Sequence, residues 1–136
     1  MKLESKIGKI TKQDEEIYNF ISDFNNFQSL IPADKVKNWR SDKDSCSFTI
    51  DMIGETGFRI IEKEPFKLIK LANLEQSKYD FKFWVQLKDL GENNTAIKLT
   101  MDVELNPMFQ MMAKKPLQEF LNSLVDKLSQ MEFKND

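Results

Sequence analysis

A chain of 136 residues is about the size of one domain, and at that length a hydrophobic core forms without a disulfide or metal staple. Twenty basic against twenty-two acidic side chains leave a net charge of -2, so no global positive field draws in a phosphate backbone, and nucleic acid is disfavoured as a partner. One cysteine, Cys46, rules out an internal disulfide, and with no histidine the chain offers poor material for a zinc site or a His-dependent triad; no metal or cofactor is expected. The opening Met1-Lys2-Leu3-Glu4-Ser5-Lys6 has no apolar run of the signal-peptide kind, and no stretch approaches ~18 consecutive apolar residues. A cytoplasmic protein without integral membrane association is expected. Asn93-Asn94-Thr95 matches a glycosylation sequon, which has no meaning without secretion.

Taken in chain order, Leu3, Ser5 and Ile7 alternate with charged residues as a half-buried strand does, and Gly8 marks a bulge or bend before the strand ends near Ile10. Thr11 followed by Asp14, Glu15 and Glu16 predicts a capped helix with acids in its first turn. Ile17, Phe20, Ile21 and Phe24 recur at helical spacing. Phe27, Leu30 and Ile31 continue the stripe across Asn25-Asn26, which predicts two short helices or one bent one, ended by Pro32. From Val36 to Leu105 the period changes to two. Cys46, Phe48, Ile50 and Met52 alternate with polar neighbours, Gly54 to Gly57 reads as a turn, and Phe58 and Ile60 resume the pattern. After Glu64-Pro65, the segment from Phe66 to Glu75 reads as a strand. Tyr79, Phe81, Phe83, Val85 and Leu87 then share one face. Gly91-Glu92-Asn93-Asn94 turns the chain, and Thr95, Ile97, Leu99, Met101, Val103 and Leu105 answer them across a hairpin. Asn106 and Pro107 open the longest helix, whose apolar residues run from Met108 to Met131, with a kink or break expected near Lys114-Lys115 because of Pro116.

The order of strand, short helical pair, about six further antiparallel strands and one long C-terminal helix resembles the START-like, or SRPBCC, superfamily, which includes polyketide cyclase/dehydrase and lipid-transfer proteins. The segment 17–27 is similar to that superfamily's first helix and the bend after it, Glu62-Lys63-Glu64-Pro65-Phe66 resembles its Glu-Pro hairpin, and Asn106-Pro107 resembles the opening of its last helix. The resemblance covers nearly the whole chain as one domain and implies an α+β helix-grip fold: a curved antiparallel sheet of about seven strands around the C-terminal helix. It also implies a cavity between sheet and helix for a lipid, quinone or polyketide-like molecule, with a cyclase/dehydrase enzyme or a chaperone-activator-like interaction module as the alternatives.

Shared inward parity and the expected helix face nominate a lining of Phe48, Phe58, Tyr79, Phe81, Phe83 and Met101 from the sheet, with Met108, Met111, Met112 and Phe120 from the helix. A pocket of this kind is mostly apolar with a few placed polar groups, for which Tyr79, Thr95 and Cys46 are the inward candidates. Plain core packing is the competing reading for each of them. Glu62 and Glu64 stand two apart, as a paired-acid mechanism would need, but a hairpin end favours solvated carboxylates. Cys46 lies between serines with nothing to stabilise a thiolate. Arg59 falls on the outward parity. Gly54-Glu55-Thr56-Gly57 mimics a phosphate-clamping GxxG, yet a turn accounts for it. Trp84, an aromatic residue on the polar face, is the candidate for a protein contact. Trp39 and Arg40 near the expected mouth, and Lys114 and Lys115 near the expected kink, admit both a ligand contact and plain solvation.

Overall fold

In a computed structural model of the protein, the described residues are 1–31, 34, 36–50, 54–75, 77 and 79–130. Eight strands form one antiparallel sheet: β1 (Lys2–Glu4), β2 (Gly8–Ile10), β3 (Val36–Ser41), β4 (Ser45–Ile50), β5 (Gly54–Glu64), β6 (Leu68–Asn73), β7 (Phe81–Gly91) and β8 (Asn94–Val103). Their spatial order is β1-β8-β7-β6-β5-β4-β3, with β2 also paired to β8. Helix α1 (Asp14–Ile21) and a 3₁₀ turn over Phe24–Asn26 follow β2, and helix α2 (Pro107–Gln130) ends the described chain. The curved sheet and long C-terminal helix make a helix-grip fold.

The first strand, expected to run to about Ile10 with a bulge or bend at Gly8, is interrupted earlier, between Glu4 and Gly8. Ser5 lies between β1 and β2, its N–H donates to the Leu99 carbonyl at 2.8 Å, and its Oγ accepts from the Leu99 N–H at 2.9 Å. A side chain thus replaces one rung of the ladder, and the chain bends toward α2. There Gln118 Nε2 donates to the Glu4 carbonyl at 2.8 Å, and the Lys6 N–H donates to Asn122 Oδ1 at 2.9 Å. Gly8 has to be small, because a Cβ would lie 2.7 Å from Ser129 Oγ on α2. These contacts seat the helix against the β1–β2–β8 end of the sheet.

Helix α1 starts after Gln13 rather than Thr11, without a side-chain cap, and its first-turn Asp14, Glu15 and Glu16 complement the helix dipole. It buries Ile17, Tyr18 and Ile21. Asp23 then accepts from the Asn25 N–H at 2.9 Å and caps the 3₁₀ turn, so the expected helical pair is one helix and one turn. Pro32, the expected stop, lies outside the described residues.

The GxxG segment is not a turn. Gly54 opens β5, and Gly57 sits inside it opposite Ser47, while residues 51–53, between β4 and β5, are outside the description. A Cβ on Gly57 would collide with the Cys46 carbonyl oxygen and come within 2.6 Å of Leu74 Cδ1, so the glycine serves close packing rather than chain reversal. The segment from Phe66 to Glu75 is strand only over Leu68–Asn73; Phe66, at φ 67°, belongs to the turn before it. The β7–β8 hairpin forms as expected, with Gly91, Glu92 and Asn93 all at positive φ.

Asn106 Oδ1 accepts from the Phe109 N–H at 2.8 Å and caps α2. The helix then runs unbroken through Pro116, where a kink or break was expected. Pro116 lies on the exposed face, as does Met112, whose carbonyl loses its partner there, so the missing bond falls on the solvent side of the helix. The inward face is Ala113, Leu117, Phe120, Leu121, Leu124, Val125 and Leu128, all buried. Among the described residues no helix is long and apolar enough to cross a membrane.

Candidate functional site

The inward faces of sheet and helix do not close completely. Two apolar voids remain, each of about 30 Å³, room for roughly one water-sized sphere. The first lies toward α1 and the 3₁₀ turn. Ile21, Phe24, Phe27, Leu30 and Ile31 meet Trp39, Cys46, Leu71, Val85 and Leu99 of the sheet and Leu124 and Leu128 of α2. The second lies toward the start of α2. It is bounded by Ile50, Thr56, Tyr79, Phe81, Met101, Val103 and Leu105, with Phe109 and Leu117.

Phe48, Phe58, Phe83 and Phe120 line both voids. They form the partition between them, and the rings touch in series. Trp39 stacks on Phe48 with centroids 5.7 Å apart, Phe48 meets Phe58 at 5.6 Å, and Phe58 meets Phe81 and Phe83 edge-on at 4.8 and 5.4 Å. Tyr79 stacks on Phe109 at 5.2 Å beside the second void. Such ring pairs are worth about 0.5–1.5 kcal/mol each beyond burial. The inner wall is therefore held largely by ring-on-ring contacts.

No protein-family model matches the chain, and no curated protein matches it by sequence. Solved structures do. A START superfamily protein from Mycobacterium smegmatis is 15% identical with a TM-score of 0.68, covering 96% of this chain and 99% of that one. The protein XoxI from Bacillus cereus is 10% identical with a TM-score of 0.73, covering 95% and 93%. Norcoclaurine synthase from Thalictrum flavum, in complex with dopamine and hydroxybenzaldehyde, is 13% identical with a TM-score of 0.67, covering 98% and 89%. The chain has the START-like fold. Identities of this size carry the fold and no residue roles.

Within that START-like frame, seven of the ten nominated side chains border the voids: Phe48, Phe58, Tyr79, Phe81, Phe83, Met101 and Phe120. The other three do not. Met108, Met111 and Met112 are 76, 84 and 51% exposed on the outer side of α2, and Phe109 and Ala113 take the inward positions. The first turns of α2 are apolar nearly all round, so the inward phase is set by the Leu-rich turns that follow.

The polar candidates separate in the same way. Thr95 is buried, but its Oγ1 donates to the Lys12 carbonyl at 2.8 Å and lines neither void. Cys46 borders the first void, and burial pushes its thiol up to about 12, so the sulfur stays protonated and unreactive at neutral pH. Glu62, Glu64 and Arg59 are exposed, as are Arg40, Lys114 and Lys115. Trp84 is half-buried on the outer face, with Lys70 Nζ 5.6 Å from its ring centroid. Among the described residues, no Asp, Glu, Lys or Arg lines either void, and no group of His, Cys, Asp and Glu could hold a metal ion.

Two side chains bordering the voids carry buried polar atoms; the sequence marks Trp39 only as a residue near the expected mouth and Thr56 only as part of the GxxG segment. Thr56 Oγ1 and Trp39 Nε1 have no hydrogen-bond partner among the described residues, and their side chains border the second and first void respectively. Counting back from Phe58 in steps of two reaches Thr56, so alternation alone could have found it. Trp39 needed the β-bulge between Lys37 and Arg40, with Asn38 at φ 58°, which turns its ring onto Phe48.

Proposed function

We propose that the protein binds a small hydrophobic or amphipathic molecule, of lipid, quinone or polyketide-like size, between the sheet and helix α2. The carrying observation is the pair of apolar voids that share Phe48, Phe58, Phe83 and Phe120 as lining. Ligand pockets have about 300–1,000 Å³, far more than the two voids together, so a ligand enters only as the partition rotates aside and helix α2 and the sheet move apart around it. Both voids adjoin the same four rings. The START-like fold supports the reading, and one structural neighbour was solved with dopamine and hydroxybenzaldehyde bound. The ring of apolar groups, with no ionisable carboxylate or amine at either void among the described residues, favours binding over proton-transfer chemistry.

Native mass spectrometry of the protein purified from cells, followed by organic extraction, tests this. The expected result is a hydrophobic adduct released by the solvent, or binding of added naphthalene derivatives by the ligand-free chain. A bare chain mass together with no thermal shift from any apolar compound would overturn it.

A further inference from the structure

We infer that the ligand is uncharged and carries hydrogen-bond-accepting oxygen on an apolar body, with the Thr56 hydroxyl and the Trp39 indole N–H as its anchors. The inference rests on the binding function proposed above and narrows its chemistry. Thr56 pairs with Phe48 across β4 and β5, so it shares that residue's inward face, and it is only 7% exposed. A hydroxyl in that position normally finds a partner, and Thr56 Oγ1 has none among the described residues while its side chain borders the second void. Trp39 presents the same situation at the first void, stacked on the other side of the Phe48 position by a backbone bulge. An indole N–H can only donate, and a threonine hydroxyl can donate, so an oxygen that accepts satisfies both.

The two anchors flank one ring, Phe48, which belongs to the partition. A ligand that displaces the partition therefore arrives between the two unpaired groups. Charge is selected against at the same place. Neither void has a lysine or arginine to hold a carboxylate or phosphate, nor an acid to hold an amine, among the described residues. An isolated ion moved there would lose its hydration with nothing in return. A neutral ketone, ester or ether oxygen meets donors that are already dehydrated.

Three probes of one size separate these terms: 2-acetylnaphthalene, 2-isopropylnaphthalene and 2-naphthoate, titrated calorimetrically into the full chain and into Thr56→Val and Trp39→Phe. Thr56→Val keeps shape and removes one donor, while Trp39→Phe removes the indole N–H together with one ring's volume, so the hydrocarbon probe is the packing control for that variant. The wild type should prefer the ketone over the hydrocarbon by about tenfold, the worth of a hydrogen bond made to a previously unpaired group, and should bind the naphthoate weakest. Each variant should lose part of the ketone preference, read as the ratio of ketone to hydrocarbon affinity within that variant; Thr56→Val should also hold the hydrocarbon affinity within about twofold and melt no lower than wild type, because it deletes an unsatisfied hydroxyl. A ketone preference unchanged in both variants, or naphthoate as the tightest probe, overturns the anchors and leaves the apolar site standing. Failure of both neutral probes to bind the wild type overturns the anchors and the proposed function together.

Discussion

Replacing Phe120 by alanine probes packing and site at once, because this side chain is 7% exposed, projects from α2 and borders both voids. Truncating a buried Phe costs about 3–5 kcal/mol, made of lost transfer energy and the cavity left behind. The surroundings here already contain voids, so part of the contact that a tight core would lose is absent to begin with, and the low end, about 3 kcal/mol, applies. For 136 residues, an unfolding entropy of about 2.1 cal/mol/K per residue sums to roughly 0.3 kcal/mol/K, which converts that loss to a Tm decrease of about 10 °C. A domain with the usual margin of about 5–15 kcal/mol remains folded. The variant also adds the volume of a phenyl ring to the apolar space beside both voids, a dry space of the sort that binds benzene. Differential scanning fluorimetry with and without saturating benzene measures both effects. Benzene should restore several degrees to Phe120→Ala and little to the wild type. A Tm within 2 °C of wild type, or no benzene-dependent shift, would refute the placement of Phe120 in the partition.

Four further outcomes follow. Cys46→Ala tests the buried thiol: with its folded value raised from 9.0 to about 12, the native state retains a proton that the unfolded chain releases, so this contribution is full below pH 9 and is lost as pH rises from 9 to 12. The stability advantage of wild type over Cys46→Ala in urea melts should therefore shrink across that window, by up to about 1.4 kcal/mol per pH unit, and a pH-independent difference would contradict the burial. Gly57→Ala forces a Cβ toward the Cys46 carbonyl and Leu74, and should lose at least about 1–3 kcal/mol in the same assay. Asn106→Ala removes the α2 cap and should cost about 1 kcal/mol, a fall of roughly 3 °C in Tm. Met108→Ser, Met111→Ser and Met112→Ser should each stay within about 0.5 kcal/mol of wild type, since all three side chains are exposed; a larger loss would place them inside.

Much of the fold is legible in the sequence because strand alternation is a strict rule. Phe81, Phe83 and Val85 answer Val103, Met101 and Leu99 across a hairpin whose turn is marked by Gly91, and parity puts all six on one face. Helix phase is less strictly written. Met108, Phe109, Met111 and Met112 leave Gln110 as the one polar residue between Pro107 and Met112, and the correct phase emerges only by stepping back in fours from Leu121 through Leu117 and Ala113 to Phe109. Glycine misled in the opposite sense: Gly54 and Gly57 signal a turn by composition, whereas Gly57 is small because a neighbouring strand's carbonyl lies against it, a non-local fact. The interruption at Ser5 was hidden for the same reason, since a side chain standing in for a ladder rung depends on the position of β8. Trp39 depends on a bulge that no period reveals.

The central claim, an apolar guest between sheet and helix, is tested most directly by methyl NMR during titration with 2-isopropylnaphthalene. The side chains bordering the voids, among them Val85, Leu99, Met101, Leu117 and Leu124, report on the interior, while exposed Met108 and Met111 report on the outer face of the same helix. Saturable shifts in the first set, with Met108 and Met111 unmoved, are the predicted result. Shifts confined to Met108 and Met111, or none at any methyl, would contradict it.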